Sequence, residues 1–363
     1  MSFGESEITA LETEVVEVPL PRSMGTSIHR MHSIGCVLVT LRTKDGPSGE
    51  GMAFTLNADR IRAFEETIRG LSPYVVGQDA RDVEKVFNDV WGALNPTGHK
   101  GITIGALSAI DVAMWDIVGK LANMPLAKLF GGMRDRVDTY ASSGLWLSDS
   151  IDELVTEAER FVEQGFWGMK IRVGSDYAET DVERVRAVRA AVGPEVDLYV
   201  DINQGHSPKQ AIRLGRKLEE FNLVWIEEPV AYTDLAGHAM VRNALDTPIA
   251  SGETEYTRFG MQAYLDAGAV DVLMPDLQRM GGYTEFRRAA ALASTHNVAV
   301  SSHFFTEYSM AMAGSLPNCT VVEHVDWFQP LYNEPIELDG GQLVIPDRPG
   351  TGFTFDRLAA NRG

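Results

Sequence analysis

The sequence predicts an α+β capping domain joined to an α/β (β/α)-barrel, and three observations predict it. Beyond Gly132, apolar strand-like runs alternate with helical periodicity seven or eight times, at about the usual repeat length. Before Gly132 the order is instead three strands and then three helices. Within the alternating part, three consecutive apolar runs end in a carboxylate, at Leu198-Tyr-Val-Asp201, Trp225-Ile-Glu227 and Ala250-Ser-Gly-Glu253, and both spacings are 26 residues. That interval suits one strand-helix unit, so neighbouring parallel strands would deliver Asp201, Glu227 and Glu253 to the same rim.

The first domain, residues 1–132, opens with β-branched and apolar runs at 8–18 and 36–41, and Lys44-Asp-Gly46 turns the chain into a third strand at 49–54. These predict an antiparallel meander. Residues 19–33 carry Pro, Gly, Arg22, His29, Arg30 and His32 without helical or strand period, and predict a loop that shapes the substrate pocket. Helical periodicity follows at 58–71, 80–91 and 101–120, the last with Ile104, Leu107, Ile110, Met114 and Ile117 on one face. Paired glycines at 131 and 132 end this domain. The barrel occupies residues 133–334, with strands expected at 137–141, 168–173, 198–201, 223–227, 249–251, 270–274, 298–301 and 320–323. Residues 335–363 hold strand fragments at 343–346 and 353–355 and are expected to return to the capping domain.

The 363 residues, 44% of them hydrophobic, supply enough core for a large barrel and a smaller domain. A formal charge of −19 opposes nucleic acid and anionic lipid, so neither nucleic-acid nor membrane partners are expected. The first seven residues lack the basic and apolar regions of a leader. The most apolar helix, 102–118, is interrupted by Asp111 and Asp116, and a cytoplasmic protein is expected. Cys36 and Cys319 stand far apart with no metal-binding spacing, which predicts buried apolar groups.

Three converging carboxylates call for a cation, and hard oxygen ligands without Cys or His favour Mg²⁺. A lone strand-end acid often caps a helix or pairs with arginine, but three at equal spacing favour the metal. The remaining strand ends add Lys170, Arg172, Asp276, His303 and Glu323. Lys170 would pair with a neighbouring carboxylate, bind a substrate carboxylate, or take a proton at a lowered pKa. Asp276 and His303 end adjacent strands, where a hydrogen bond would fix the imidazole tautomer. His29, His32, His99, His206, His238, His296 and His324 lack such a setting and read as surface or packing residues.

The chain resembles the enolase superfamily, mandelate racemase subgroup. In the barrel the resemblance rests on Lys170-Ile-Arg172, Asp201-Ile-Asn203, Glu227-Glu-Pro229, Gly252-Glu253, Pro275-Asp276 with Gly281-Gly282, Ser301-Ser-His303 and Glu323. In the first domain it rests on Ala109-Ile-Asp-Val-Ala-Met-Trp-Asp116 and Leu129-Phe-Gly-Gly132. It implies a modified TIM barrel of the enolase type, with Mg²⁺ on Asp201, Glu227 and Glu253 and with Asp276 and His303 as a base dyad. Lys170, Arg172, Asn203 and Glu323 would contact a small-molecule carboxylate substrate, Glu323 stabilising an ene-diolate on the side away from the metal. It also implies a homo-oligomer.

One position departs from the subgroup's racemases, which carry a second lysine where this chain has Arg172. A guanidinium is a poor base. The expectation is therefore a one-base hydro-lyase, an acid-sugar dehydratase that gives a 2-keto-3-deoxy acid from a mono- or diacid. The alternatives are a racemase, epimerase or cycloisomerase working through the same enolate, and a non-catalytic binding protein on this fold. No lysine ends strand six or seven, which weighs against the muconate-cycloisomerase-like branch.

Overall fold

Strands β1 (Ile8–Gly25), β2 (Arg30–Thr43) and β3 (Gly49–Leu56) pair in that order into an antiparallel sheet in the computed structural model, which describes residues 6–357. The central strand β2 is buried on both faces. Its alternate residues Val37, Val39 and Leu41 join the core of the first domain, while Ile34, Cys36 and Leu38 face the core shared with the barrel. One sheet thus serves two cores.

Residues 19–33 are not the irregular loop that their composition suggests. β1 continues to Gly25 through a register shift between Pro19 and Met24, and β2 begins at Arg30. A tight turn joins them, held by Thr26 N donating to the His29 carbonyl at 3.0 Å and by His29 N donating to Thr26 Oγ1 at 3.0 Å. Met24 and Met31 of this outer hairpin are buried in the core shared with the barrel, but the register shift between Pro19 and Met24 interrupts the two-residue hydrophobic period along β1.

Helices α1 (Ile61–Gly70), α2 (Val83–Leu94) and α3 (Ile102–Ala122) cover one face of the sheet. α3 is long and apolar enough to span a membrane by composition, but 78% of its apolar window is buried inside this protein. It lies unusually close to β3. A Cβ at Gly51 would meet the Ala109 carbonyl oxygen at 2.1 Å, and one at Gly49 would meet that of Ala113 at 2.0 Å, so glycine is needed at both positions.

The two aspartates within α3 are buried and tie elements together. Asp111 accepts from Thr284 N at 3.1 Å, at the start of a barrel helix. Asp116 accepts from Glu50 N in β3 and Thr351 N near the C-terminus, both at 2.9 Å, and pairs with Lys120 at 2.6 Å. Asp116→Ala would strand these donors in the interior, at a cost of about 3 kcal/mol. We expect a lower urea midpoint for that variant and earlier proteolysis of its C-terminal segment; an unchanged midpoint would refute this anchoring role.

Eight parallel strands follow: β4 (Arg136–Ala141), β5 (Gly168–Arg172), β6 (Asp197–Asp201), β7 (Leu223–Glu227), β8 (Ile249–Ser251), β9 (Val272–Leu273), β10 (Ala299–Ser302) and β11 (Cys319–His324). Each pairs with the next, and β11 pairs with β4 to close the barrel. Helices α4 (Ile151–Glu163), α5 (Ala178–Val192), α6 (Pro208–Leu218), α7 (Leu235–Arg242), α8 (Thr257–Asp266), α9 (Tyr283–Thr295) and α10 (Thr306–Ser315) connect them. Local signals set some of these ends: Ser150 and Glu153 form a reciprocal capping box at α4, and Ser207 and Gln210 do so at α6.

The C-terminal segment touches both domains. β12 (Leu338–Asp339) and β13 (Gln342–Val344) form a hairpin whose second strand pairs antiparallel with β4. Beyond it, Gly350 N donates to the Met124 carbonyl, and Arg357 bonds to Thr40 and Glu50 of the sheet.

Candidate active site

Parallel strands place their last residues at one rim, and here that rim is acidic and buried. Asp201 ends β6, Glu227 ends β7 and Glu253 follows β8; each offers one oxygen, and the three oxygens lie within 4.8 Å of one another. Burial pushes Glu227 well above the usual carboxylate range, which Lys170 only partly offsets, and Asp201 and Glu253 push it further. Glu253 is raised in the same way, by burial first and then by Glu228 and Asp201. Its Oε2 is buried with no hydrogen-bond partner among the described residues. Surplus negative charge on hard oxygens, with an acceptor left over, fits a divalent cation such as Mg²⁺.

Lys170, from β5, is 1% exposed and lies 2.8 Å from Glu227 Oε1, 2.6 Å from Glu323 Oε1 and 3.7 Å from Asp201 Oδ2. Burial alone would lower its pKa, but these three carboxylates outweigh burial and raise it above the ordinary lysine value. Of the roles its position suggests, the geometry shows the pairing with neighbouring carboxylates.

The dyad residues meet. His303 Nδ1 lies 2.8 Å from Asp276 Oδ2, and its Nε2 lies 3.3 Å from Glu253 Oε1, facing the carboxylate cluster. Asp276 is anchored from below, because its other oxygen caps the short helix Leu277–Met280 by accepting from Arg279 N at 2.9 Å. Phe304 stacks on the imidazole with ring centroids 4.0 Å apart. Glu323, from β11, accepts from Ser142 Oγ at 2.6 Å and from Phe304 N at 2.9 Å. Burial would raise it, but Lys170, His303 and Arg172 hold its pKa down at about 2. It stands ionised, as an acceptor that anchors Lys170.

Two residues expected at the substrate are engaged with the protein. Arg172 borders the cavity, but its Nη1 donates to the carbonyls of Ser142 and Gly144 at 2.7 and 2.9 Å. Its guanidinium stacks over Trp146 at 4.1 Å. Asn203 Nδ2 donates to Asp201 Oδ2 at 2.8 Å, and its Oδ1 is buried beside the cavity with no hydrogen-bond partner among the described residues.

Residues 19–33, expected to shape the substrate pocket, do reach this mouth, whereas Trp146, Trp327 and Arg279 were not anticipated there. Thr26, His29 and Met31 of the capping hairpin line the cavity, as do Phe54 and Leu56 of β3. His29, read as a surface or packing residue, is exposed and borders the mouth because Ser27 Oγ donates to the Ile202 and Asn203 carbonyls at 2.7 and 2.9 Å, which docks the turn on the end of β6. Partial desolvation there and nearby Arg279 lower the His29 pKa. Trp146 and Trp327 stack at 5.8 Å and form one wall; they come together only because β11 closes on β4. Arg279 was legible in principle, three residues beyond Asp276, and donates from Nη1 to the Glu253 carbonyl.

Fold and site define a class: two-domain proteins in which a capping sheet closes the acidic, cation-attracting mouth of a (β/α)-barrel. Residues 10–131 match the family model described as mandelate racemase / muconate lactonizing enzyme, N-terminal domain, and residues 153–359 match that described as enolase C-terminal domain-like. The chain belongs to this enzyme family, within the enolase superfamily. It is 37% identical to L-talarate/galactarate dehydratase of Salmonella typhimurium over 90% of this chain and 82% of that protein. It is 34% identical to 3,6-anhydro-alpha-L-galactonate cycloisomerase of Streptomyces coelicolor over 96% of this chain and 97% of that one. The crystal structure of L-talarate dehydratase from Polaromonas, complexed with Mg and L-glucarate, superposes with a TM-score of 0.91 at 35% identity, covering 97% of this chain and 96% of that one.

Proposed function

We propose that this protein is an Mg²⁺-dependent hydro-lyase that removes the proton α to the carboxylate of an acid sugar and expels the β-hydroxyl as water. The carrying observation is the His303–Asp276 pair facing a buried carboxylate cluster, while Arg172, whose guanidinium is a poor base, is bonded to backbone carbonyls. Asp201, Glu227 and Glu253 would hold the ion. When bound, Mg²⁺ supplies positive charge to the substrate carboxylate and so makes the α-proton more acidic.

The remaining chemistry belongs to the side chains. Lys170 places its ammonium against the substrate carboxylate and takes up part of the charge that grows there as the proton leaves. Glu323 keeps that ammonium in place. His303 Nε2 takes the α-proton while Asp276 holds Nδ1–H, which fixes the tautomer. As the bond from the β-carbon to oxygen breaks, the same imidazolium returns its proton to the departing hydroxyl, and water leaves. The enol left behind takes a proton at its β-carbon and gives up its hydroxyl proton to become the 2-keto-3-deoxy acid. Phe54, Phe304 and the Trp146–Trp327 wall keep bulk water from this exchange.

Dehydratases among the relatives support this reading, including the arabinonate dehydratase of Saccharolobus solfataricus, 31% identical over 89% of this chain. A second reading has its own support: besides the Streptomyces protein, a D-galactarolactone cycloisomerase of Agrobacterium fabrum is 34% identical over 97% of this chain. A panel of mono- and diacid sugars and their lactones, assayed in deuterium oxide, separates the two. We expect loss of water and a 2-keto acid from at least one acid sugar. Turnover of lactones alone, without water loss, would favour the cycloisomerase. We also propose a homo-oligomer acting in the cytoplasm on small carboxylates, and a monomeric mass by light scattering would remove the first part.

A further inference from the structure

We infer that Arg172 and Ser142 form a two-residue relay that positions Glu323, so that the arginine standing where racemases of this family have a second lysine serves as a clamp. The inference rests on the dehydratase reading for what Glu323 contributes, and on geometry for the relay itself.

The polarity of the relay is fixed by chemistry. A guanidinium has five N–H donors and no acceptor. Three of them are used on the loop after β4: Nη1 on the Ser142 and Gly144 carbonyls at 2.7 and 2.9 Å, and Nη2 on Ser142 Oγ at 2.7 Å. The serine hydroxyl must therefore accept from Arg172, which leaves its one proton to point elsewhere. It points at Glu323 Oε1, 2.6 Å away. That same oxygen is 2.6 Å from Lys170 Nζ. All four side chains are within 3% of complete burial, so no solvent competes for these bonds.

The backbone explains why a clamp is needed. β4 and β5 share one ladder pair, Ala141 with Met169, so the loop beyond Ala141 gains little from the sheet on its β5 side, while Ser142 N donates to the His324 carbonyl at 3.0 Å on its β11 side. Arg172 supplies the missing tie through both side chain and backbone, its N–H donating to the Leu145 carbonyl at 2.9 Å; Leu145 itself sits in the left-handed region at φ 55°. Trp146 then stacks on the guanidinium and fixes its plane. A lysine carries its donors on one nitrogen and cannot reproduce this planar fork. On the other side, Glu323 Oε2 accepts from Phe304 N, next to the base His303. The relay thus joins β4, β5 and β11 to the residue beside the dyad.

Ser142→Ala tests this in the full-length Mg²⁺-loaded protein, with the acid sugar that the wild type dehydrates most readily. We expect kcat per folded protein to fall roughly 10-fold to 100-fold, somewhat less than loss of a direct oxyanion contact, while KM stays within about twofold. The crystal structure of the variant should show the Glu323 carboxylate turned from its place against Lys170. Arg172→Lys, which keeps the charge but not the fork, should move kcat and Glu323 in the same direction. Unchanged kcat in Ser142→Ala, or a fall in kcat with Glu323 still in place, overturns the relay. If the wild type dehydrates no acid sugar, the proposed function fails, and the position of Glu323 in the two variant structures still decides the relay.

Discussion

His303→Asn is expected to eliminate both exchange of the α-proton with solvent deuterium and dehydration, with a rate loss of roughly 10²–10⁴-fold or more. Asparagine occupies similar space and can keep a hydrogen bond to Asp276, so the site should survive the change while losing its titratable nitrogen. Asp276 itself continues to cap Leu277–Met280 through Arg279 N, which holds the rim in shape. Exchange is the sharper of the two measurements because it reports proton removal even where water loss is slow. Exchange at the wild-type rate in His303→Asn would mean that another group takes the proton, and Arg172, with its forked contacts to carbonyl oxygens, is ill suited to do so. Interconversion of α-epimers by the wild type without water loss would likewise replace the one-base elimination by an epimerase mechanism.

What was legible in the sequence divides along a physical line. Strand ends of a parallel barrel repeat at regular intervals, so one short pattern carried Asp201, Glu227 and Glu253 to one rim, and the structure brings their oxygens together. Asp276 and His303 follow from the same periodicity, as ends of adjacent strands. Contacts that depend on closure or on docking between domains leave no such period. Trp146 and Trp327 meet because β11 returns to β4, and His29 reaches the mouth because Ser27 bonds to the end of β6. The hairpin at 19–33 was hidden for a related reason: the register shift between Pro19 and Met24 interrupts the alternation by which strands are recognised. Arg172 is the instructive mixed case. Its poor basicity follows from residue type alone, but its bonds to the carbonyls of Ser142 and Gly144 follow from loop geometry, which residue type does not encode. Asp111 and Asp116 likewise stood out as charges in an apolar helix, while the partners that explain them, Thr284, Glu50 and Thr351, lie far away in sequence.

Removal of the divalent ion is expected to abolish turnover and to leave a less stable protein, and Glu253→Gln should separate the two effects. Without a cation, the rim holds Asp201, Glu227, Glu253 and Glu323 around one lysine, and burial and mutual repulsion already push Glu227 and Glu253 toward their protonated forms. An ion that binds only the folded protein stabilises it by an amount set by its concentration over its dissociation constant, about 2.7 kcal/mol at a hundredfold excess. Wild type in chelator should therefore melt at a lower temperature than wild type in Mg²⁺, and re-addition of Mg²⁺ should restore both stability and dehydration. Glu253→Gln deletes one anionic ligand, so Mg²⁺ should bind more weakly by calorimetry and raise the melting temperature less. In chelator, however, the variant should melt no lower than the wild type, because the change relieves repulsion from Glu228 and Asp201 in a buried site. Full turnover in excess chelator would sink the metal assignment outright. A Glu253→Gln protein that binds Mg²⁺ as tightly as the wild type would remove Glu253 from the ligand set, and one that melts well below the wild type in chelator would show that Glu253 holds the rim together without any ion.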